Sequence, residues 1–180
     1  TGPQPQGQGL NELYVRFFRM AERQIVEHTG RGIVCFISNS SWLDGLSHTA
    51  MRERFLDAFD HVRIDNLHGD KYRTGKLTPD GEPDPSAFST PQNREGIQVG
   101  TAIATLVRRA PPTHAALVEQ RDWYGRSKLE DLASAAEALD TLAYESATPQ
   151  VALGRTLVGK AASADYLHWP TLPALFPISY

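Results

Sequence analysis

The stretch Arg31–Gly45, RGIVCFISNSSWLDG, decides the fold that we expect for the rest of the chain. Its apolar run, Ile33–Ile37, is short and carries β-branched residues, which predicts a buried central strand. The run stops abruptly at Ser38–Ser41, four small polar residues. We expect them at the carboxyl end of the strand, where open α/β sheets bind their ligands. The alternative is a capped loop that leads into the next helix, and the spacing alone favours this alternative.

Length and composition indicate a globular protein with one domain. The chain has 180 residues, of which 41% are hydrophobic and 22% are charged, and this is enough for a substantial core. The net charge of −3 and the pI near 6.0 exclude a global basic bias, although a local patch could still bind nucleic acid. The only cysteine, Cys35, cannot form an internal disulfide, so we expect a small core residue in a reducing compartment.

Nothing in the sequence indicates a membrane protein. No stretch is apolar and long enough to span a bilayer, and none has the pattern of a signal peptide. We therefore expect a cytoplasmic location and no membrane partner. The chain begins at Thr1 rather than at methionine, so we expect a fragment of a longer protein or a processed product.

The first half of the chain alternates predicted helices and strands. Residues 1–9, TGPQPQGQG, have the composition of a flexible linker. Leu10–His28 carries an apolar residue at every third or fourth position, which predicts an amphipathic helix. A second helix is expected over Gly45–Phe59, and the alternating pattern of His61–Leu67 predicts another strand. Together with the strand Ile33–Ile37, this order predicts an α/β fold with a parallel sheet.

The second half is less regular. Gly69–Glu95 is rich in glycine, proline and charge, which predicts a long loop that is either functional or disordered. Gly96–Arg109 returns to strand character, and we expect it to pair as a hairpin through this loop. His114–Arg121 is predicted as a short edge strand, and Ser127–Tyr144 as a capped helix. Residues 147–180 are rich in proline and small side chains, which predicts an irregular tail.

One group of polar residues after the first strand is compatible with a serine hydrolase. Ser40, Ser41, Asp44 and His48 supply the side chains that such a site needs. Capping is the stronger interpretation, because Ser and Asp at such positions cap loops and helices and because His48 lies on the predicted helix. No GxSxG motif is present. The Walker loop and the GxGxxG motif are absent as well.

A second polar group follows the strand His61–Leu67. Asp65, His68 and Asp70, in the stretch DNLHGD, could ligate a metal ion. No further ligand stands at a suitable spacing. Hydrogen bonding by His68 in the loop is therefore the stronger interpretation, and no metal site is expected.

Several stretches, taken in order, resemble a known family. LNELYVRFFRMAERQI (10–25), GIVCFISNSSWLDGLSHTAMRERFLDAFDHVRIDNLHGD (32–70) and GIQVGTAIATLVRR (96–109) resemble the later part of an adenine-specific DNA methyltransferase, in particular of the Type ISP restriction–modification enzymes. Val118–Gly125, with Lys128-Leu129 after it, resembles the segment that follows the methylase core. WPTLPALFPIS (169–179) resembles the beginning of the target-recognition region.

The resemblance implies an α/β fold with a partial Rossmann-like methyltransferase sheet, followed by a helical and irregular tail. Ile33–Asn39 and His61–Leu67 would be strands of that sheet, and Thr101–Val107 would be the antiparallel strand typical of the fold. Residues 10–110 would then be the C-terminal half of the methyltransferase-like domain. Residues 111–180 would be a helical segment and the start of the target-recognition region.

The resemblance also implies DNA as a partner and a pocket for an extruded adenine. Hydrogen-bonding side chains after a strand suit such a pocket, since a flipped base is recognised by its polar edge. Asparagine can pair with adenine through two hydrogen bonds, and an aromatic ring can stack on the base or belong to the core. The candidates for the base pocket or for DNA binding are Asn39, Ser40, Ser41, Trp42, His68, Gln98 and Gly100.

The residues that perform the family's reaction are not expected in this chain. The reaction is methyl transfer from S-adenosylmethionine to the adenine amino group in DNA. The family's glycine-containing cofactor motif and its Asn-Pro-Pro-Tyr motif lie upstream of the region that the chain resembles, and neither occurs in the sequence. We therefore expect an inactive isolated chain and a separate chain or domain that carries both motifs. A non-catalytic DNA-binding or assembly module and a small α/β hydrolase remain as alternatives.

Overall fold

The computed structural model describes residues 12–112, 116–138, 144–159, 164–170 and 172–176. The predicted linker, 1–9, lies outside these ranges. The helices are α1 (Leu13–Arg23, continued by the π-helical turn Gln24–Thr29), α2 (Thr49–Ala58), α3 (Lys71–Thr74), α4 (Lys128–Glu137) and α5 (Leu172–Leu175). Among the described helices, none has the length and apolar composition that a bilayer crossing requires.

The strands are β1 (Gly32–Asn39), β2 (His61–His68), β3 (Thr101–Arg108), β4 (Leu117–Asp122) and β5 (Glu145–Ser146). They form one sheet in the order β1-β3-β2-β4-β5. β3 runs antiparallel between β1 and β2, while β2 and β4 are parallel. The carboxyl ends of β1, β2 and β4 therefore meet at one edge of the sheet, beside the start of β3. The predicted α/β class with its antiparallel strand is confirmed.

The strand β1 is not the buried central strand that its apolar run predicts. It lies at the edge of the described sheet, because β3 inserts between β1 and β2. Val34 is buried, but Ile33 is 67% exposed, Ile37 is 50% exposed and Cys35 is exposed. The prediction that Cys35 is a core residue is wrong for the same reason: its side chain points to the face that no described helix covers.

Two predictions for the second half of the chain, one for a strand and one for a helix, are also wrong in part. The expected edge strand His114–Arg121 is the internal strand β4, because β5 pairs along its other side. The helix expected over Ser127–Tyr144 ends at Glu137 among the described residues. The hairpin expected for Gly96–Arg109 is present, since β3 pairs antiparallel with β2 through the long loop.

The core lies between one face of the sheet and the helices α1 and α2. Phe18, Trp42 and Phe55 form its aromatic centre, with ring centroids 5.2–5.6 Å apart in tilted and edge arrangements. Such geometries bring the positive ring edge toward the negative face of a neighbour. These rings pack in one hydrophobic cluster with the inward side chains of the strands, which are Val34, Val62, Ile64, Ala102, Ala104, Leu106 and Val118.

A fully buried arginine fixes the loop between β1 and α2. The Arg52 Nη1 group donates to the carbonyl oxygens of Trp42 and Gly45, each at 2.8 Å. Its Nη2 group donates to the Gly154 carbonyl at 2.7 Å. Hydrogen bonds from a charged donor to backbone carbonyls are among the stronger ones in a protein interior. The loop that follows β1 is therefore held rigidly at the edge of the sheet where the strands end.

Candidate functional site

A cleft of about 370 Å³ opens where β1, β2 and β4 end and β3 begins. This is the edge at which open α/β sheets bind ligands. Most of its lining residues are polar, and they come from four strand ends, from α3 and from the C-terminal segment. The lining residues are Ser40, Leu43, Asp44, Asn66, His68, Asp70, Arg73, Thr74, Gly100, Asp122, Tyr124, Val158 and Gly159.

One wall of the cleft depends on close contact between the end of β1 and the residue before β3. The Ser40 N–H donates to the Gly100 carbonyl at 2.8 Å, and the Gly100 N–H donates to Asp70 Oδ2 at 2.9 Å. A Cβ atom on Gly100 would lie only 2.6 Å from Ser40 Oγ. A side chain at this position would therefore displace the Ser40 hydroxyl from its place in the cleft.

The opposite wall is an aromatic and acidic cluster at the ends of β2 and β4. The His68 ring stacks on Tyr124 with centroids 4.1 Å apart and an interplanar angle of 16°. The Asp122 Oδ1 atom lies 2.6 Å from His68 Nε2 and accepts from Asn66 Nδ2 at 3.1 Å. A bulge between Asn66 and His68, with His68 at φ +50°, turns the imidazole toward this cluster. Burial, aided by nearby carboxylates, raises the pKa of Tyr124, so its phenol stays a neutral donor.

An ion pair stands at the mouth of the cleft. Arg73 on α3 donates to Asp44 in the loop after β1, with 2.5 Å between Nη2 and Oδ2 and 3.1 Å between Nη1 and Oδ1. α3 is started by Asp70, whose Oδ1 atom accepts from the Tyr72 and Arg73 N–H groups at 2.8 Å each. Asp70 thus joins the Gly100 wall to the helix that carries Arg73.

The structure brings three of the predicted site residues into the cleft, namely Ser40, His68 and Gly100. Trp42 lies elsewhere: its indole is fully buried in the core and donates to Ser38 Oγ at 3.1 Å, so it is not available to stack on a base. Gln98 lies beside α3, where its Oε1 atom accepts from the Tyr72 hydroxyl at 2.6 Å.

Asn39 and Ser41 interact with each other rather than with the cleft. The Asn39 Oδ1 atom accepts from the Ser41 N–H at 2.6 Å, and its Nδ2 group donates to Glu12 Oε2 at 3.2 Å. This is a side-chain turn that closes the end of β1. In this structure Asn39 has the loop-capping role that was the alternative interpretation of the polar run.

Sequence reasoning missed Asn66, Asp122 and Tyr124. All three depend on the parallel pairing of β2 with β4, whose register places Asn66 opposite Asp122. This pairing joins residues 56 positions apart. No local sequence pattern predicts this pairing. The acidic and aromatic residues of Asp122–Tyr124, directly after a predicted strand, could nevertheless have indicated a site at the strand end.

The two other polar groups of the sequence are dispersed in the structure. Asp65 bonds to Arg121, Trp123 and Tyr144, while His68 and Asp70 have the separate partners given above. In the part of the chain that the structure describes, no group of three His, Cys, Asp or Glu side chains could hold a metal ion.

His48 does not approach Ser40 in the cleft. Its ring lies 3.1 Å from the Tyr14 hydroxyl and 3.2 Å from Ser47 Oγ, with only 2% of the residue exposed. A nucleophile and its base must lie within hydrogen-bond reach. The arrangement therefore does not support a hydrolase built on Ser40 and His48.

Comparison with known proteins gives a clear result for the fold. No protein-family model matches the sequence, and a search of curated proteins gives no match. Solved structures do match. DrdV in a complex with DNA has a TM-score of 0.66 at 23% identity, over 88% of this chain and 14% of that one. LlaBIII, an ATP-dependent Type ISP restriction–modification enzyme bound to DNA, has a TM-score of 0.65 at 21% identity, over 92% of this chain and 10% of that one.

LlaGI, a Type ISP restriction–modification enzyme whose nuclease-deletion mutant was solved with a DNA substrate mimic, has a TM-score of 0.66 at 21% identity. The match covers 89% of this chain and 14% of LlaGI. The chain thus spans only a small part of each of these proteins. At these identities the likeness concerns the fold, and it agrees with the family that the sequence resembles. The chain therefore has the fold of a segment of the Type ISP restriction–modification enzymes.

Proposed function

We propose that this chain is part of a DNA adenine methyltransferase in a restriction–modification system, acting in the cytoplasm on DNA. Residues 10–110 would form the C-terminal half of the catalytic domain, and residues 111–180 a helical segment and the start of the target-recognition region. The observation that carries the proposal is the cleft at the carboxyl ends of β1, β2 and β4.

The chemistry of the cleft suits an extruded base. Its volume of about 370 Å³ lies in the lower range of small-ligand pockets, about 300–1,000 Å³. Asp70 and Asp122 offer acceptors for an amino group, and the Ser40 hydroxyl can donate to a ring nitrogen. The stacked His68–Tyr124 pair offers an aromatic edge against which a planar base can lie. A flipped base is recognised by this combination of polar contacts and stacking.

Two of the glycines at this edge of the sheet, Gly69 and Gly100, leave no space beside the backbone in which S-adenosylmethionine could bind. A Cβ atom on Gly69 would lie 2.9 Å from the Pro85 carbonyl oxygen, and one on Gly100 would meet Ser40. We propose that the cofactor binds to the domain that carries the glycine-containing and Asn-Pro-Pro-Tyr motifs, with this chain completing the base pocket.

Two uncovered apolar patches, one on β1 and one on α1, support such a second domain. On β1, Ile33 and Ile37 face away from the core, beside Val107 and Ile103 of β3 in register. On the outside of α1, Leu13, Phe17 and Met20 are 52–65% exposed at spacings of four and three residues. Large exposed apolar patches mark interaction sites. β1 also has one unpaired edge among the described strands, where a further strand can add by backbone hydrogen bonds.

Reconstitution tests the proposal. The chain is mixed or co-expressed with the polypeptide that supplies the two missing motifs, and transfer of a labelled methyl group to DNA is measured. We expect label in the adenine amino group with the mixture and none with the chain alone. Efficient adenine methylation by the chain alone, or none by a folded and stable complex, would contradict the proposal.

The absence of both motifs also favours the second candidate, a non-catalytic module that binds DNA or assembles an enzyme. The same experiment separates the two functions. A complex that binds DNA but transfers no methyl group would favour the non-catalytic module.

A further inference from the structure

A second groove, of about 820 Å³, lies between the long loop after β2 and the start of α4. Four cationic residues line it, which are Lys76, Arg94, Arg126 and Lys128, and none of its lining residues is a carboxylate. Lys76 is paired with Glu95 and Lys128 with Asp84. Arg94 and Arg126 are exposed and make no ion pair in the described part of the chain, so these two carry the uncompensated charge.

The groove is held in shape by a buried ion pair beneath it. Asp84 Oδ1 lies 2.5 Å from Lys128 Nζ, and both residues are at most 2% exposed. The Asp84 carboxylate also accepts from the Gly69 and Gly125 N–H groups at 2.9 Å each, and Lys128 donates to the Leu67 carbonyl at 2.7 Å. These bonds tie the loop to the ends of β2 and β4. Arg126 follows Gly125 directly and is therefore held on this frame, while the Arg94 carbonyl accepts from Ser89 Oγ at 3.0 Å.

The groove adjoins the cleft through a single turn. Tyr124 lines the cleft, whereas Gly125 and Arg126 line the groove. A polymer with one unit in the cleft would thus continue into the groove. DNA has this form: its bases can leave the stack, and its backbone carries a phosphate at every step.

We propose that the groove holds the sugar–phosphate backbone of DNA next to the base in the cleft, with Arg94 and Arg126 as phosphate contacts. Arginine presents a planar fork of donors that matches phosphate oxygens. The prolines of the groove wall, Pro83, Pro85 and Pro91, offer no N–H donors to a phosphate. The inference rests on the proposed function for the identity of the polymer.

DNA binding by the full chain tests the inference without methyl transfer. The probe is a fluorescein-labelled duplex, and its anisotropy is measured between about 50 and 200 mM salt. We expect Arg94→Ala and Arg126→Ala each to weaken binding several-fold and to lower the slope of log K against log salt by about one. The control is Arg109→Ala, an exposed arginine that follows β3 at the opposite edge of the sheet, which should change neither quantity.

The inference is overturned if both groove variants bind like the unmodified chain, if Arg109→Ala weakens binding equally, or if the unmodified chain fails to bind the duplex at low salt. Weaker binding of the groove variants to polyglutamate but not to DNA would assign the groove to an acidic protein and would also overturn it. The outcome is independent of methylation. A chain that binds through this groove but never supports methyl transfer would refute the proposed function and leave the backbone groove in place.

Discussion

Asn39 illustrates how a polar side chain at a strand end can serve the loop and not the ligand. Its amide oxygen accepts from the Ser41 N–H, and its amide nitrogen reaches Glu12, so both ends of the group are occupied. Ser40, the next residue, places its hydroxyl in the cleft. The two neighbours therefore have separable roles, and substitution can distinguish them.

We predict that Asn39→Ala costs about 1 kcal/mol of stability, the usual value for a lost side-chain cap, with little effect on methyl transfer. The melting temperature of the chain should fall by about 2–4 °C for that cost. Ser40→Ala is the matched variant, and it should lower turnover of the reconstituted enzyme with a smaller change in melting temperature. Lower turnover with unchanged stability in Asn39→Ala would show that its amide contacts the base after all.

Asp84 and Lys128 form the most deeply buried ion pair among the described residues, and breaking it should be costly. In Lys128→Met the apolar stem is kept, but the Asp84 carboxylate stays buried without its counter-charge. We expect a loss of about 3–5 kcal/mol in the free energy of unfolding, measured with urea. Lys71→Met, which breaks the exposed pair with Glu95, should cost about 0–1 kcal/mol. Similar costs for the two variants would contradict this account.

At the scale of the elements, β2 and β4 are joined by a row of charges on the face opposite to the core. Arg63 stands in register with Glu119 and donates to it at 2.9 Å, and His61 Nε2 lies 2.7 Å from the same carboxylate oxygen. One step further along, Arg121 bonds to Asp65 and lies 4.2 Å from the ring centres of Trp123 and Tyr144. On this half of the face the charged side chains are paired with one another, whereas on the β1 half the apolar side chains of Ile33 and Ile37 are exposed.

The row of charges predicts how the stability of the chain depends on pH. Burial alone would raise the pKa of Glu119, but the hydrogen bonds from Arg63 and His61 outweigh it and hold that pKa below its usual value. A lowered folded pKa means that the stabilisation is complete above the unfolded pKa and is lost as the pH falls through the folded value. We expect the unfolding free energy of Glu119→Gln to fall less than that of the unmodified chain between about pH 7 and pH 4.

The matched control for this measurement is Glu130→Gln. Glu130 is an exposed glutamate of α4 that makes no ion pair in the described part of the chain. Its substitution should leave the loss of stability in acid unchanged. Equal losses for Glu119→Gln and the unmodified chain would show that the row does not depend on the ionised carboxylate.

The elements themselves could largely be predicted from the sequence, but their neighbours could not. Periodicity located α1, α2, β1, β2 and β3, since these signals are local. The order of the strands rests on long-range pairing, so β1 was expected at the centre and β4 at the edge. The same limit explains the site: the strand-end rule found Ser40 and His68, whereas Asp122 and Tyr124 required the parallel pairing of β4. Ser40 and Trp42 lie only two residues apart, but the turn directs the Ser40 side chain into the cleft and the Trp42 side chain into the core.

At the scale of the whole molecule, the error about β1 is informative. A run that is apolar on both faces predicts burial on both faces, and in this chain only one face of β1 is buried. The proposed second domain resolves the conflict, because it would cover Ile33 and Ile37 on β1 together with Phe17 on α1. The apolar pattern would then describe the proposed assembly. The matches cover only 10–14% of the three solved structures, so each of those proteins is much longer than this chain.

We predict that Phe17→Ser and Ile33→Ser leave the isolated chain folded but weaken its assembly with the motif-bearing domain. The two side chains are 52% and 67% exposed, so little core packing is lost and stability should change by less than about 0.5 kcal/mol. At an interface, truncation of a central apolar residue costs about 1–2 kcal/mol or more, which weakens binding roughly tenfold per residue. Calorimetric titration of the two components measures this directly. Leu46→Ser is the matched control: Leu46 is 87% exposed in the loop between β1 and α2, outside the proposed surface. Unchanged affinity for Phe17→Ser and Ile33→Ser would mean that the open face is not where the second domain binds, even if methyl transfer is reconstituted.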